Sequence, residues 1–250
     1  MFEDFFATSA RITDIRNSLT DNLVYQRFDH WRARELEAEL NKLEAGQGAL
    51  CFTWGMSAIH TLLFSWLGSL DRIMVCQDLY GGTTHHALDF QRFHIWVDIV
   101  DMRDPQQVAD NLRGNTKIVL FETPSNPRLW MVDIETISRI VHEKNPRCLV
   151  VVDNTFCTPV LQRPLSLGAD MVAYSTTKMV TGHGDTGGGI IVVKDPSHLE
   201  KIRQTRTSCG TIQKPFDAWF HLREMESMLY RMIDQSIKAE IIAEELEKQP

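Results

Sequence analysis

Residues 148–194 read CLVVVDNTFCTPVLQRPLSLGADMVAYSTTKMVTGHGDTGGGIIVVK. Three short hydrophobic runs punctuate the stretch: CLVVV ahead of Asp153-Asn154-Thr155, MVAYSTT ahead of Lys178, and GIIVV after a glycine-rich loop. Short β-branched runs bounded by Gly, Pro and Asp read as buried strands. That places Asp153 and Lys178 each at the C-terminal end of a strand, the edge where open α/β sheets bind ligands. Taken alone, a carboxylate and an amine at that edge fit a structural ion pair as well as a functional one. Residues 182–187 (GHGDTG) match GxGxxG, but a dinucleotide fingerprint needs a strand before it and a helix after it. The run that follows, GGIIVVK, reads as a strand, so the nucleotide reading is rejected. His183 and Asp185 read as polar groups that fix the loop.

The chain has 250 residues, enough for one large α/β domain or two small ones. A net charge of −7 argues against a nucleic-acid surface. No apolar run is long enough for a transmembrane helix, and the N-terminus has acids where a signal peptide has basic residues. The expected location is therefore the cytoplasm. Cys51, Cys76, Cys148, Cys157 and Cys209 are odd in number and form no CxxC, which suggests neither a disulfide framework nor a zinc site. Three of them lie in apolar runs and read as small hydrophobes.

Outward from the central stretch, strands and helices alternate. Residues 1–24 read as irregular helix. Leu36, Leu40 and Leu43 mark one face of an amphipathic helix closed by Ala45-Gly46. An apolar strand at residues 49–52 runs through Thr53-Trp54-Gly55-Met56 into a helix. A glycine there serves a tight turn or lets backbone N–H groups approach an anion. RIMVCQDLY is a strand leading to Tyr80-Gly81-Gly82-Thr83, where the ring is core or rim on position alone. His85 and His86 are adjacent and do not share a helix face, so they read as solvated or capping groups. Residues 95–101 are a strand, and Asp104-Pro105 opens a helix as N-cap and first-turn proline. KIVLFETPSNP is a strand with a turn-rich exit, and residues 133–144 are a helix. After Pro196 a helix is expected, then a loop at RTSCG (206–210) near the ligand edge. One long helix is expected over residues 216–248, where an approximate 3.6 period runs from Trp219 to Leu246.

Pyridoxal 5′-phosphate (PLP) needs a lysine for its Schiff base, an acid for its ring nitrogen, and a phosphate pocket of hydroxyls and amides. Lys178, Asp153, Ser175 and Thr177 supply such groups. The central stretch, with the motifs Tyr25-x-Arg27, Gly55-Met56, Tyr80-Gly81-Gly82-Thr83 and Glu122-Thr123-Pro124-Ser125-Asn126-Pro127 in this order, resembles the Cys/Met-metabolism family of PLP enzymes. That family includes cystathionine γ-synthase, cystathionine lyases and acylhomoserine sulfhydrylases.

The resemblance implies a fold type I α/β large domain with a mostly parallel mixed sheet covered by helices. It implies that Lys178 holds PLP, Asp153 pairs with the ring nitrogen, Tyr80 stacks on the ring and Asn126 bonds the phenolate oxygen. Ser175, Thr177 and the amides of Gly55 and Met56 would hold the phosphate, with Thr155 also at the cofactor. Tyr25 and Arg27 would reach the phosphate of a neighbouring subunit, so a dimer or tetramer is expected. Glu122 is a supporting candidate. No metal is implied. The implied organisation is an N-terminal arm and helix over residues 1–45, a PLP-binding domain over 46–215 and a long interdomain helix over 216–250. The family's C-terminal small domain, which binds the substrate α-carboxylate, is expected to be absent.

The implied reaction is β/γ-elimination or γ-replacement on a cystathionine, homoserine ester or cysteine-class amino acid. Gly82 rather than Cys leans away from methionine γ-lyase. The chain departs from the family at His30-Trp31-Arg32-Ala33, where Asn-Pro-Thr-Arg is common, and at Trp54, where Ser is usual. The alternative is a truncated, non-catalytic PLP-fold subunit or scaffold.

Overall fold

All three hydrophobic runs of the central stretch are strands in the computed structural model, which describes residues 25–249. The helical expectation for residues 1–24 lies outside the described residues. The three strands are β5 (Leu149–Asp153), β6 (Met171–Tyr174) and β7 (Gly189–Val193). They join β1 (Gly48–Phe52), β2 (Arg72–Cys76), β3 (Trp96–Val100) and β4 (Thr116–Glu122). The result is one seven-stranded sheet of order β1-β7-β6-β5-β4-β2-β3. From β3 to β6 every pairing is parallel, while β7 runs antiparallel to both β6 and β1. Parallel strands are covered on both faces, which is why residues 118–121 and 150–152 are apolar without alternation and fully buried.

The helices that cover the sheet follow the strands. They are α1 (Trp31–Glu44), α2 (Gly55–Trp66), α3 (Gly81–Asp89), α4 (Pro105–Asn111) and α5 (Ile134–Lys144). Then come a short α6 (Thr158–Leu161), α7 (Ser197–Cys209), α8 (Pro215–Met225) and α9 (Met228–Leu246). The β1 and β7 side chains alternate between two cores. Leu50, Phe52, Ile191 and Val193 pack with residues of α2 and α7, whereas Ala49, Cys51, Ile190 and Val192 pack with α1 and α8. Helix α1 buries Ala33, Leu36 and Leu40 there and ends at Ala45 in a left-handed cap. His30 caps its start: Nδ1 accepts the Ala33 N–H at 3.0 Å, and Nε2 donates to the Gln213 carbonyl at 2.7 Å. Asp104 and Asp133 cap α4 and α5 with their side chains. Cys51, Cys76 and Cys148 are buried, and all five cysteines are free. Among the described residues no helix is long and apolar enough to cross a membrane.

The structure departs from the sequence reading in three places. Residues 206–209 are helical rather than loop, because α7 continues to Cys209. Arg206 is fully buried and needs that fixed backbone: its Nη1 donates to Glu37 Oε1 at 2.6 Å and to the Cys51 carbonyl at 3.0 Å. Second, the expected helix over 216–248 is two helices. The chain turns at Glu226-Ser227, where N–H groups bond three residues back to Arg223 and Glu224. Arg231 reinforces the turn through Ser227 Oγ at 3.0 Å and the Glu224 carbonyl at 3.2 Å. The apolar period persists across the break, so the pattern alone does not reveal it. Third, β6 ends at Tyr174 and β2 at Cys76, so Lys178 and Tyr80 stand on the turns beyond their strands. The GxGxxG segment, 182–187, is irregular and leads into β7, with no helix after it.

Glu37 also accepts the Cys51 N–H at 3.0 Å, so this pair fastens α7 and α1 to β1. Removing one member of a buried pair leaves an uncompensated charge, at a cost of about 3–5 kcal/mol. Glu37→Leu is therefore expected to lower the unfolding free energy measured in urea by that order. Glu37→Leu with Arg206→Met should recover most of the loss, and a double variant no better than the single would refute the pairing.

Candidate active site

The C-terminal ends of the parallel strands converge on one edge. Asp153 closes β5 and lies in register with Glu122 at the end of β4 and Ala173 of β6. Its Oδ1 accepts from the Thr155 N–H at 3.1 Å and the Thr155 hydroxyl at 2.5 Å. Burial pushes the Asp153 carboxyl up, against the lowering effect of those two bonds. No cation pairs with it among the described residues. The Thr155 hydroxyl in turn accepts the Ser175 N–H at 2.8 Å. One side chain thus couples the residue closing β5 to the residue that follows β6.

Ser175 opens the turn that presents Lys178. The Lys178 N–H donates to the Ser175 carbonyl at 3.1 Å, and the Gly182 N–H to the Lys178 carbonyl at 2.7 Å. The Lys178 side chain is exposed, and its amine has no hydrogen-bond or ion-pair partner among the described residues. Thr177 is occupied: its hydroxyl accepts the Gly188 N–H at 2.9 Å and donates to the Gly188 carbonyl at 3.3 Å. His183 fixes the same loop through the Thr181 carbonyl at 2.9 Å and Glu224 at 3.0 Å.

Gly55 begins α2 after an extended Trp54. A Cβ on Gly55 would stand 2.8 Å from Ser175 Cβ, so only glycine lets the helix start come this close to the Lys178 turn. Four N–H groups at a helix start lack intrahelical partners and face anions favourably. The Trp54 ring is exposed and lies against Gly187, where a Cβ would meet it at 2.3 Å. Met56 Sδ accepts from the Thr83 hydroxyl at 3.7 Å, linking α2 to the start of α3.

Tyr80 precedes α3 with its ring half exposed and packed over Gly82. Its N–H donates to Glu122 Oε2 at 2.9 Å. Asn126 lies in the turn after β4 and its N–H also reaches the Glu122 carboxyl. Tyr25 and Arg27 make contacts of their own: Arg27 Nη1 donates to the Thr207 carbonyl at 2.6 Å, and the Tyr25 ring meets Phe28 edge-on at 5.2 Å. Neither hydrogen-bonds another of the predicted site residues. His86 is not merely solvated or capping, for its Nε2 lies 3.0 Å from His60 Nδ1. Among the described residues no three His, Cys, Asp or Glu side chains cluster as metal ligands.

The model of the Cys/Met metabolism PLP-dependent enzyme family matches residues 5–250. The chain belongs to this family. It is 38% identical over 235 residues to the L-methionine gamma-lyase of Treponema denticola, covering 92% of this chain and 58% of that protein. It is also 38% identical over 228 residues to the cystathionine gamma-synthase/O-acetylhomoserine (thiol)-lyase of Bacillus subtilis, covering 89% of this chain and 60% of that one. The structure of cystathionine gamma synthase from Xanthomonas oryzae in complex with cystathionine superposes with a TM-score of 0.88 at 34% identity, over 92% of this chain and 59% of the other. The chain thus spans between 58% and 60% of the length of these relatives. Equal identity to a lyase and a synthase does not separate their activities.

In this family member two groups at the edge escaped the sequence reading or were understated by it. Arg231 of α9 donates through Nη1 to the Met179 carbonyl at 2.8 Å and through Nη2 to the Val180 carbonyl at 2.7 Å, clamping the turn just past Lys178. Nothing in the local sequence distinguishes it from other polar residues of the helix. Glu122 is buried, and burial with the nearby Asp153 pushes its carboxyl up to about 8. Arg231→Leu is expected to strand two backbone carbonyls, lowering stability by about 1–3 kcal/mol and speeding amide exchange across residues 176–184. Unchanged exchange there would show that the clamp is dispensable.

Proposed function

We propose that the chain forms the PLP-binding part of a sulfur amino-acid enzyme. The reaction is β/γ-elimination or γ-replacement at a C–S bond or an activated homoserine side chain. The observation that carries this reading is the join of Asp153, Thr155 and Ser175, which sets an unpaired carboxylate beside the turn bearing an unpaired lysine. Three features suit the cofactor. Asp153 has no cation of its own, as an acid awaiting a pyridinium requires. The α2 start has no side-chain cap, so its first amides lack an intrahelical partner and suit an anion. Tyr80 keeps an exposed ring face. When bound, PLP supplies an electron sink for the bonding pair released at Cα of an amino acid.

The chain's own residues divide the remaining work. Lys178 would hold the cofactor covalently, and its free amine would move protons at Cα and Cβ of the substrate. Asp153 would keep the ring nitrogen protonated. Tyr80 would supply the stacking ring, and Asn126 a donor to the phenolate oxygen. Ser175 and the Gly55 and Met56 amides would hold the phosphate. Thr177 contributes through the loop it fixes, and Thr155 by orienting Asp153. Tyr25 and Arg27 serve the site of a second copy, so the working form is at least a dimer. The substrate is of the cystathionine, homoserine ester or cysteine class, in keeping with the names of the relatives. The cytoplasm is the setting this metabolism implies.

PLP added to the purified chain is expected to give a visible absorbance band. Borohydride reduction and peptide mapping should then place a pyridoxyl mass on Lys178. Lys178→Ala should lose both, and Asp153→Ala should weaken PLP binding by about tenfold or more, the loss of one charge-assisted bond. A pyridoxyl group on a different lysine would overturn the assignment. Turnover of cystathionine, or of an activated homoserine ester with cysteine, then identifies the reaction.

A further inference from the structure

Glu122 is a buried carboxyl that touches two separate segments of the proposed site. It closes β4, is 4% exposed, and stands in register with Asp153 on the neighbouring parallel strand. Its Oε2 accepts the Tyr80 N–H at 2.9 Å, across 42 residues of sequence, and the carboxyl also accepts the Asn126 N–H. Tyr80 and Asn126 stand on different turns, the one before α3 and the one after β4. Among the described residues no other side chain is bonded to the backbone N–H of both.

We propose that Glu122 is a positioning residue that locks the Tyr80 turn and the Asn126 turn to the end of β4, fixing the ring-stacking and phenolate-binding groups relative to Asp153. The inference rests on the PLP reading above and deepens it. The charged and titratable groups around Glu122 come from every element it meets. Cys76 of β2, whose thiol burial pushes up to about 12, and Asp78 of the turn beyond it lie on one side. Asp153 of β5 lies on the other. Arg103 and Asp101 line the small cavity next to it, and Arg128 approaches Asp78 at 3.8 Å. Burial first, and then the nearby acids Asp153 and Asp78, favour the protonated form and raise the carboxyl from 4.5 to about 8, against the lowering effect of its two backbone bonds. In that form the carboxyl keeps lone pairs that can accept both the Tyr80 and the Asn126 N–H. Glutamine is the isostere of this neutral acid.

The sign of the pH effect follows. The fold keeps a proton that the unfolded chain releases above about 4.5, so stability from this group is complete below that pH and is lost as pH rises toward 8. The melting-temperature gap between Glu122→Gln and wild type should therefore widen from pH 4.5 to 8. Amide exchange at Tyr80 and Asn126 should stay near wild type in Glu122→Gln, and PLP affinity within about twofold. Glu122→Ala should exchange those amides about tenfold faster and bind PLP about tenfold more weakly. Glu122→Asp, one carbon short of both amides, should behave like Ala and replaces it if Ala does not fold.

Wild-type exchange in both Ala and Asp variants would overturn the proposal, as would Gln behaving like Ala or a gap that stays constant with pH. If wild type takes no PLP on Lys178, the cofactor reading fails by itself, and the exchange measurements still decide whether Glu122 locks the two turns.

Discussion

The Thr155 hydroxyl is bonded on both sides, donating to the carboxylate that closes β5 and accepting from the first N–H beyond β6. Parallel neighbours end side by side, and their loops leave the sheet in the same direction. Without a cross-link those loops would be independent segments. Through Thr155 the position of Asp153 sets that of Ser175, and Ser175 sets the turn on which Lys178 stands. Gly55 then fits against Ser175 because it has no side chain. Three segments far apart in sequence become one surface through one three-atom link and one missing Cβ.

The same edge shows how buried polarity is kept affordable. Glu44, at the end of α1, bonds Tyr174 at the end of β6, and Tyr174 accepts from Asn154 at 3.0 Å. Burial pushes Glu44 up to about 7, so at neutral pH it stands at the boundary between acid and carboxylate. Glu122 is likewise raised, and Glu37 is paired with Arg206. These buried carboxyls are therefore either raised by burial or matched with a guanidinium. Asp153 is also raised by burial, and its Oδ1 is bonded by the Thr155 hydroxyl and amide.

The strands were legible because a parallel sheet covered on both faces demands unbroken apolar runs, and such runs are visible in any window. Asp153 and the motifs Trp54-Gly55-Met56 and Tyr80-Gly81-Gly82-Thr83 were legible for a related reason: each sits where an apolar run gives way to small or polar residues. What the sequence concealed depends on long-range contacts. RTSCG has a loop's composition, yet Arg206 is drawn into the helix and the core by Glu37, 169 residues away. The turn at Glu226-Ser227 leaves the apolar period intact, and its cause lies partly in Arg231 reaching back to Met179 and Val180. Glu122 reads as the last residue of a strand, and only the folded chain shows the two amides it accepts. The turn positions of Tyr80 and Lys178 were blurred because their strands end before the motif does.

The placement of Trp54 has an optical consequence. Its indole is 58% exposed, lies against Gly187 and directly precedes the first amide of α2. Most of the other tryptophans stand on different elements: Trp66 ends α2, Trp96 opens β3 and Trp219 lies within α8. A molecule seated at the α2 start would touch the ring of Trp54 and strip water from one face of it. Trp54 emission would then shift and be quenched when the site fills. A tryptophan beside the start of α2 thus gives the protein a built-in fluorophore, whose signal can be followed without a label and without turnover.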